Sequence, residues 1–163
     1  MTAADPLLSF EGIVRSVHIL TDAPSEPTAV EYHPFDQRSI HPDLPMKVRQ
    51  LYDDGHFTEA TFAAFKFLES EVKHISKTRG KTGFALMMDV FNETKPTLRI
   101  NNLATDSEED EQRGYRHMFA GAIAGIRNPR GHAADVTDTP DQCLDYLSLA
   151  SLLLRRLDDA ALR

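Results

Sequence analysis

Between Thr58 and Lys77, apolar residues return every three or four positions: Ala60, Ala63, Ala64, Phe67, Leu68, Val72 and Ile75. That spacing draws one apolar stripe along a long helix and commits it to a buried partner. Strand signals elsewhere are few, so the partner has to be other helices. A helix is expected from about Asp43–Pro45 to Asp53, stopped by Gly55, and another from Thr82 to Phe91 around Leu86, Met87 and Phe91. A further helix is expected from Ser107, three residues before Asp110, with acidic side chains crowding its first turn. A last one starts near Thr139-Pro140-Asp141 and runs through a Leu-rich stretch, 144 to 157. Residues 96 to 101 read as a short strand or as extended chain. Leu7, Phe10, Val14 and Val17 predict a helix over 5 to 20. Five prolines between Thr21 and Pro45 make a connector, with an extended piece at Ala29 to His33. The expectation is an all-α chain: a compact bundle of about five helices over residues 42–160, with an N-terminal helix and a Pro-rich arm in 1–41.

The chain of 163 residues suits one domain able to bury a core without staples. Its net charge of −7 excludes a wholly basic nucleic-acid coat but leaves room for a local basic patch. Charge is uneven. Five basic residues from Lys66 to Lys81 meet only Glu69 and Glu71, and five of the six residues from Asp106 to Glu111 are acidic. The plain reading of both runs is a solvated surface. The apolar stretch from Phe119 to Ile126 is too short to span a bilayer, and MTAADPLLSF has no basic cluster ahead of its apolar part. The single Cys143 excludes an internal disulfide and sits in an apolar-periodic stretch, as a buried helical residue would. A cytoplasmic protein is expected.

The histidines show no metal-ligand spacing, and scattered surface or capping roles are expected for His18, His33, His41, His56, His74 and His117. There is no phosphate-binding Gly-rich loop and no Gly-x-Ser-x-Gly turn, so no metal and no cofactor are expected. The segment from Gly114 to His132, GYRHMFAGAIAGIRNPRGH, is more informative. Gly121 and Gly125 each cost a helix about 1 kcal/mol relative to Ala. One turn apart among alanines, they make a smooth face for close helix packing, either within the chain or as a dimer seam. In a continuous helix Arg127 and His132 would lie about 140° apart. Pro129 is expected to end the helix at Arg127 or Asn128, and Gly131 to let the chain turn. The turn would bring guanidinium and imidazole into one pocket.

Those groups suit phosphodiester chemistry. Arginine holds two phosphate oxygens at once, and histidine moves a proton near neutral pH. Asn128 can cap the break or bind a phosphate oxygen. Cations also favour a helix C-terminus on structural grounds alone.

The segment resembles the Arg-x4-His motif of the HEPN superfamily, the higher eukaryotes and prokaryotes nucleotide-binding domains. More narrowly, the chain resembles the Ymh-type family of prokaryotic HEPN-like proteins through DDGHFTEATFAAFKFLE (53–69), GFALMMDVF (83–91) and EQRGYRHMFAGAIAGIRNPRGH (111–132). The resemblance covers roughly residues 42 to 158. It implies a bundle of four or five helices that dimerises, often a metal-independent endoribonuclease of toxin–antitoxin, abortive-infection or CRISPR-linked defence systems. Carried over by position, Arg127 and His132 match the catalytic pair and Asn128 the polar position after the Arg. The implied chemistry is 2′-hydroxyl attack on the adjacent phosphate, leaving a 2′,3′-cyclic phosphate and a 5′-hydroxyl. RNA is the implied substrate, a homodimer with a composite site the implied assembly, and an antitoxin or defence protein a possible partner. Arg130, Lys66 and Glu69 are the candidate substrate-binding residues around the pair. Lys66 and Glu69, one turn apart, could equally form a surface ion pair. Gln112 and Arg116 are remoter candidates. A non-catalytic nucleotide- or RNA-binding module and a purely structural helical partner remain the alternatives.

Overall fold

The computed structural model describes residues 32–133 and 135–163. The expected helix over 5–20 and most of the Pro-rich connector lie outside them. Among the described residues all regular structure is helical: α1 (Pro34–Gln37), α2 (Met46–Asp53), α3 (Phe57–Ser76), α4 (Gly83–Val90), α5 (Asp106–Ala122), a π turn (Ile123–Arg127), α6 (Asn128–His132) and α7 (Pro140–Asp159). No described helix is long and apolar enough to cross a membrane.

The long α3 is the axis of the bundle, in contact with α2, α4, α7 and the π turn. Its stripe behaves as its period requires. Ala60, Ala64, Leu68 and Val72 are fully buried, and Ala63, Phe67 and Ile75 pack against the core from its margin. Phe65 joins the core as well, opposite Leu147, Leu153, Leu154 and Leu157 of α7 and Phe91 and Phe119, whose rings stack at 4.4 Å. The compact unit begins at His33. Phe35 is buried and packs on Tyr52, and the buried His41 hydrogen-bonds Asp158 at 2.8 Å while its amide donates to Ser151 Oγ. His41 is therefore not a surface histidine but a buried tie to α7, and its Nδ1 also caps the following turn by accepting from the Asp43 amide at 3.2 Å. His33 does cap α1, with Nδ1 accepting from the Phe35 amide.

Residues 96–101 form no strand. Nor are they extended: they are an irregular segment with bends at Thr97, Leu98, Ile100 and Asn101, held by Gln112, which is wholly buried. Its Oε1 accepts from the Ile100 amide at 3.0 Å, and its Nε2 donates to the carbonyls of Phe91 and Leu98. Helix α5 starts slightly ahead of the expected Ser107. Thr105 Oγ1 accepts from the Glu108 amide, and Glu108 reaches back to the Ala104 amide at 2.6 Å. Helix α7 starts where its sequence says, in a full Thr139–Gln142 capping box.

Cys143 is buried, and desolvation pushes its thiol up to about 11, so at neutral pH it is not a thiolate nucleophile.

Candidate active site

The expected break after Arg127 does not occur. Asn128 keeps right-handed helical angles (φ −65°, ψ −45°), and the helical path runs from Asp106 to His132 before Ala133 turns extended. The π turn accommodates the proline. The Asn128 amide donates to the Ile123 carbonyl, five residues back, so the turn before Pro129 carries one extra residue. Pro129 then falls in the first turn of α6, where a missing N–H costs nothing.

Gly131 is likewise not a turn residue. It is helical, and a Cβ there would lie 2.8 Å from Phe62 Cε2. It is small so that α6 can lie against α3. Gly121 and Gly125 differ: apart from their own chain neighbours and helix backbone, no described atom lies within 4 Å of a Cβ built at either, so packing among the described residues does not explain them. With Gly114 and the exposed Met118 they leave an open, small-residue face on α5 and the π turn. These differences predict opposite signs for the same substitution. Gly121→Ala should stabilise the folded chain by up to about 1 kcal/mol through helix propensity. At Gly131→Ala the same gain is outweighed by an overpacking cost of about 1–3 kcal/mol, since the Phe62 ring must move. Urea unfolding midpoints of the two variants check both signs.

Arg127 points toward α3. Its guanidinium lies 5.5 Å from the Phe62 ring centroid, Nη1 donates to Asn128 Oδ1 at 3.0 Å, and Nη2 stands 3.4 Å from Glu69 Oε2. Glu69 is buried, and its Oε1 accepts from the Gly83 amide at 2.6 Å, at the start of α4. It forms no ion pair with Lys66. One carboxylate thus joins α3, α4 and the π turn. Arg127 Nε and Glu69 Oε2 are both buried without a hydrogen-bond partner. Arg156 Nε and Arg163 Nη1 are in the same state, so the feature is not peculiar to this site.

His132 is exposed and makes no side-chain hydrogen bond or ion pair among the described residues. Because the helix continues, it sits about 140° around the axis from Arg127 and about 7.5 Å along it. The helical spacing thus sets the two groups on different sides of the axis, where a turn into a single pocket is expected, and no hydrogen bond joins them among the described residues. Arg130 is not available to a substrate either. Nε donates to Asp138 Oδ2 at 2.7 Å, Nη2 pairs with Asp138 Oδ1, Nη1 donates to the Ile126 carbonyl, and the guanidinium lies 4.3 Å over the Tyr146 ring. The side chains are only 6% and 2% exposed. The hydrogen bonds to Asp138 hold the Arg130 pKa above its ordinary value despite desolvation. Arg116 is also committed, to the Met88 carbonyl and Glu93, and Gln112 to the 96–101 segment.

Phe62 is the residue the sequence reading missed. It touches Arg127, approaches Gly131 and lies 6.0 Å from Lys66 Nζ. A signal existed: it is a large aromatic side chain on α3 outside the apolar stripe, one turn ahead of a lysine. It also borders a cleft of about 470 Å³ between the start of α3 (Gly55 to Glu59) and the segment after His132 (Ala133, Val136 to Asp138).

The family model of the Hypoth_ymh proteins, described as proteins of unknown function, matches residues 38–157. The chain belongs to this family. The matched span holds α2 to α6, most of α7 and every candidate site residue. No curated protein and no solved structure matches the chain.

Proposed function

We propose that this Hypoth_ymh protein is a metal-independent endoribonuclease of HEPN type, a cytoplasmic toxin or phage-defence effector that an antitoxin or defence partner restrains. The observation that supports this most is Arg127 itself. It is a cation oriented by Glu69, Phe62 and Asn128, 24% exposed, whose Nη2 makes only a 3.4 Å ionic contact. Such an arginine has donors to spare for a phosphodiester. His132, with no hydrogen-bond or ion-pair partner among the described residues, takes the proton from a ribose 2′-hydroxyl as its oxygen attacks the adjacent phosphorus. The P–O5′ bond breaks as the leaving oxygen gains a proton, giving a 2′,3′-cyclic phosphate and a 5′-hydroxyl. Arg127 stabilises the charge gathering on the non-bridging oxygens.

Since one chain holds the two groups on different sides of its helix, the working site takes the second group from another copy. The open Gly114/Met118/Gly121/Gly125 face is the seam. The same separation also favours a second reading, a non-catalytic RNA- or nucleotide-binding module in which Arg127 alone holds a phosphate. Incubating the purified protein with single-stranded RNA and tRNA in EDTA tests the choice. The ribonuclease reading expects cleavage by a species that sediments as a dimer; binding with no cleavage at long times would sink it in favour of the module.

A further inference from the structure

The basic run in the middle of the chain has a geometry of its own. Lys66, Lys73 and Lys77 are exposed; seven residues apart on α3, Lys66 and Lys73 lie within about 20° of one another, and Lys77 follows as the C-cap of the helix, with left-handed backbone at φ 53°. Lys66 and Lys73 are about 10 Å apart along the axis. Among the described residues none of the three ammonium groups has an ion pair, as is also true of the exposed Lys47, Arg79, Lys95 and Arg99, while Lys81 pairs with Asp89 and Arg113 with Asp110. The two acidic residues of the segment do not neutralise the line. Glu69 is turned inward onto the Gly83 amide and Arg127, and Glu71 faces Arg163 at 3.6 Å. At its start the line meets the candidate site, because the Phe62 ring lies near both Lys66 Nζ and the Arg127 guanidinium.

On a chain of net charge −7, an unneutralised cationic line that ends at a phosphate-ready arginine complements a polyanionic strand. We propose that the solvent face of α3 is the track for a single strand of RNA on its way to the Arg127/His132 site, with the phosphates on Lys66, Lys73 and Lys77. The line is one lysine wide, which fits one backbone and not the two of a duplex. The proposal rests on the ribonuclease reading above and deepens it.

The test is a salt titration of binding. The probe is fluorescein-labelled oligouridylate, and the full chain carries His132→Ala so that the probe stays intact. Each phosphate contact on a single strand contributes about 0.7 to the slope of log Kobs against log salt. Combined Lys66→Gln, Lys73→Gln and Lys77→Gln should therefore lower the slope by about 2, while Lys95→Gln with Arg99→Gln, removing charge elsewhere, should leave it unchanged. The substituted side chains are exposed and unpaired, and far-UV circular dichroism verifies that the variants fold. In the wild-type background the triple variant should raise KM and spare kcat. An unchanged slope in the triple variant, or equal slope losses in triple variant and control, overturns the track. So does failure to bind the oligouridylate, an outcome that would point to an acidic protein partner for this face. The two readings fail separately. Cleavage with an unchanged slope removes the track and keeps the ribonuclease; a lowered slope with no cleavage by wild type keeps the track and removes the ribonuclease.

Discussion

His132→Ala should lower RNA cleavage on the order of a hundred- to ten-thousandfold, the usual worth of a positioned general acid–base group. The substitution is clean. His132 is exposed and makes no side-chain hydrogen bond or ion pair among the described residues, so stability should stay within about 0.5 kcal/mol of wild type. Arg127→Ala should cost about a hundred- to a thousandfold in kcat, as the loss of one transition-state donor does elsewhere. It also strips Glu69 of its counter-charge, so its unfolding midpoint must be measured beside its rate. Arg127→Lys should recover little activity, because an ammonium cannot present a bidentate fork. Full activity in His132→Ala would remove the proton-transfer role, whatever Arg127 does.

Arg130→Ala should be the most destabilising single change near the site, at about 3–5 kcal/mol, because it leaves the Asp138 carboxylate buried and unpaired. Against a total stability of about 5–15 kcal/mol for an ordinary domain, that is enough to unfold part of the population. The geometry explains the size. The pair joins α6 to the segment before α7, and the Asp138 amide donates to Thr58 Oγ1 at 2.9 Å, which ties the same segment to α3. Replacing both partners with apolar residues, Arg130→Met with Asp138→Leu, should restore much of the loss, since the cost lies in the orphaned charge. Urea unfolding of the single and double variants checks this. A loss below about 1 kcal/mol in Arg130→Ala would mean that water screens the pair.

The helices were largely legible because each carries a local signal. The period of α3, the Thr139-Pro140-Asp141 start of α7 and the glycine after α2 are read within one or two turns of chain. What escaped the sequence were long-range choices. Pro129 reads as a stop, but a π turn just upstream lets it open a new helical turn, and no side chain near it announces the change of register. Gly131 reads as a turn residue, but its role is set by Phe62, 69 residues earlier. Arg130 and Glu69 look like surface charges beside a motif. Their burial depends on Asp138 and Gly83, partners that no helical spacing links to them. The candidate pair was readable as residue types, while its separation into two sides of one helix was not.

The central claim is that Arg127 and His132 act on RNA through the 2′-hydroxyl. Mapping the ends of RNA treated in EDTA with the wild type and with His132→Ala tests it most directly. The account predicts 2′,3′-cyclic phosphate and 5′-hydroxyl ends from the wild type alone. Products with 5′-phosphate ends, or equal cleavage by the His132→Ala protein, would contradict it.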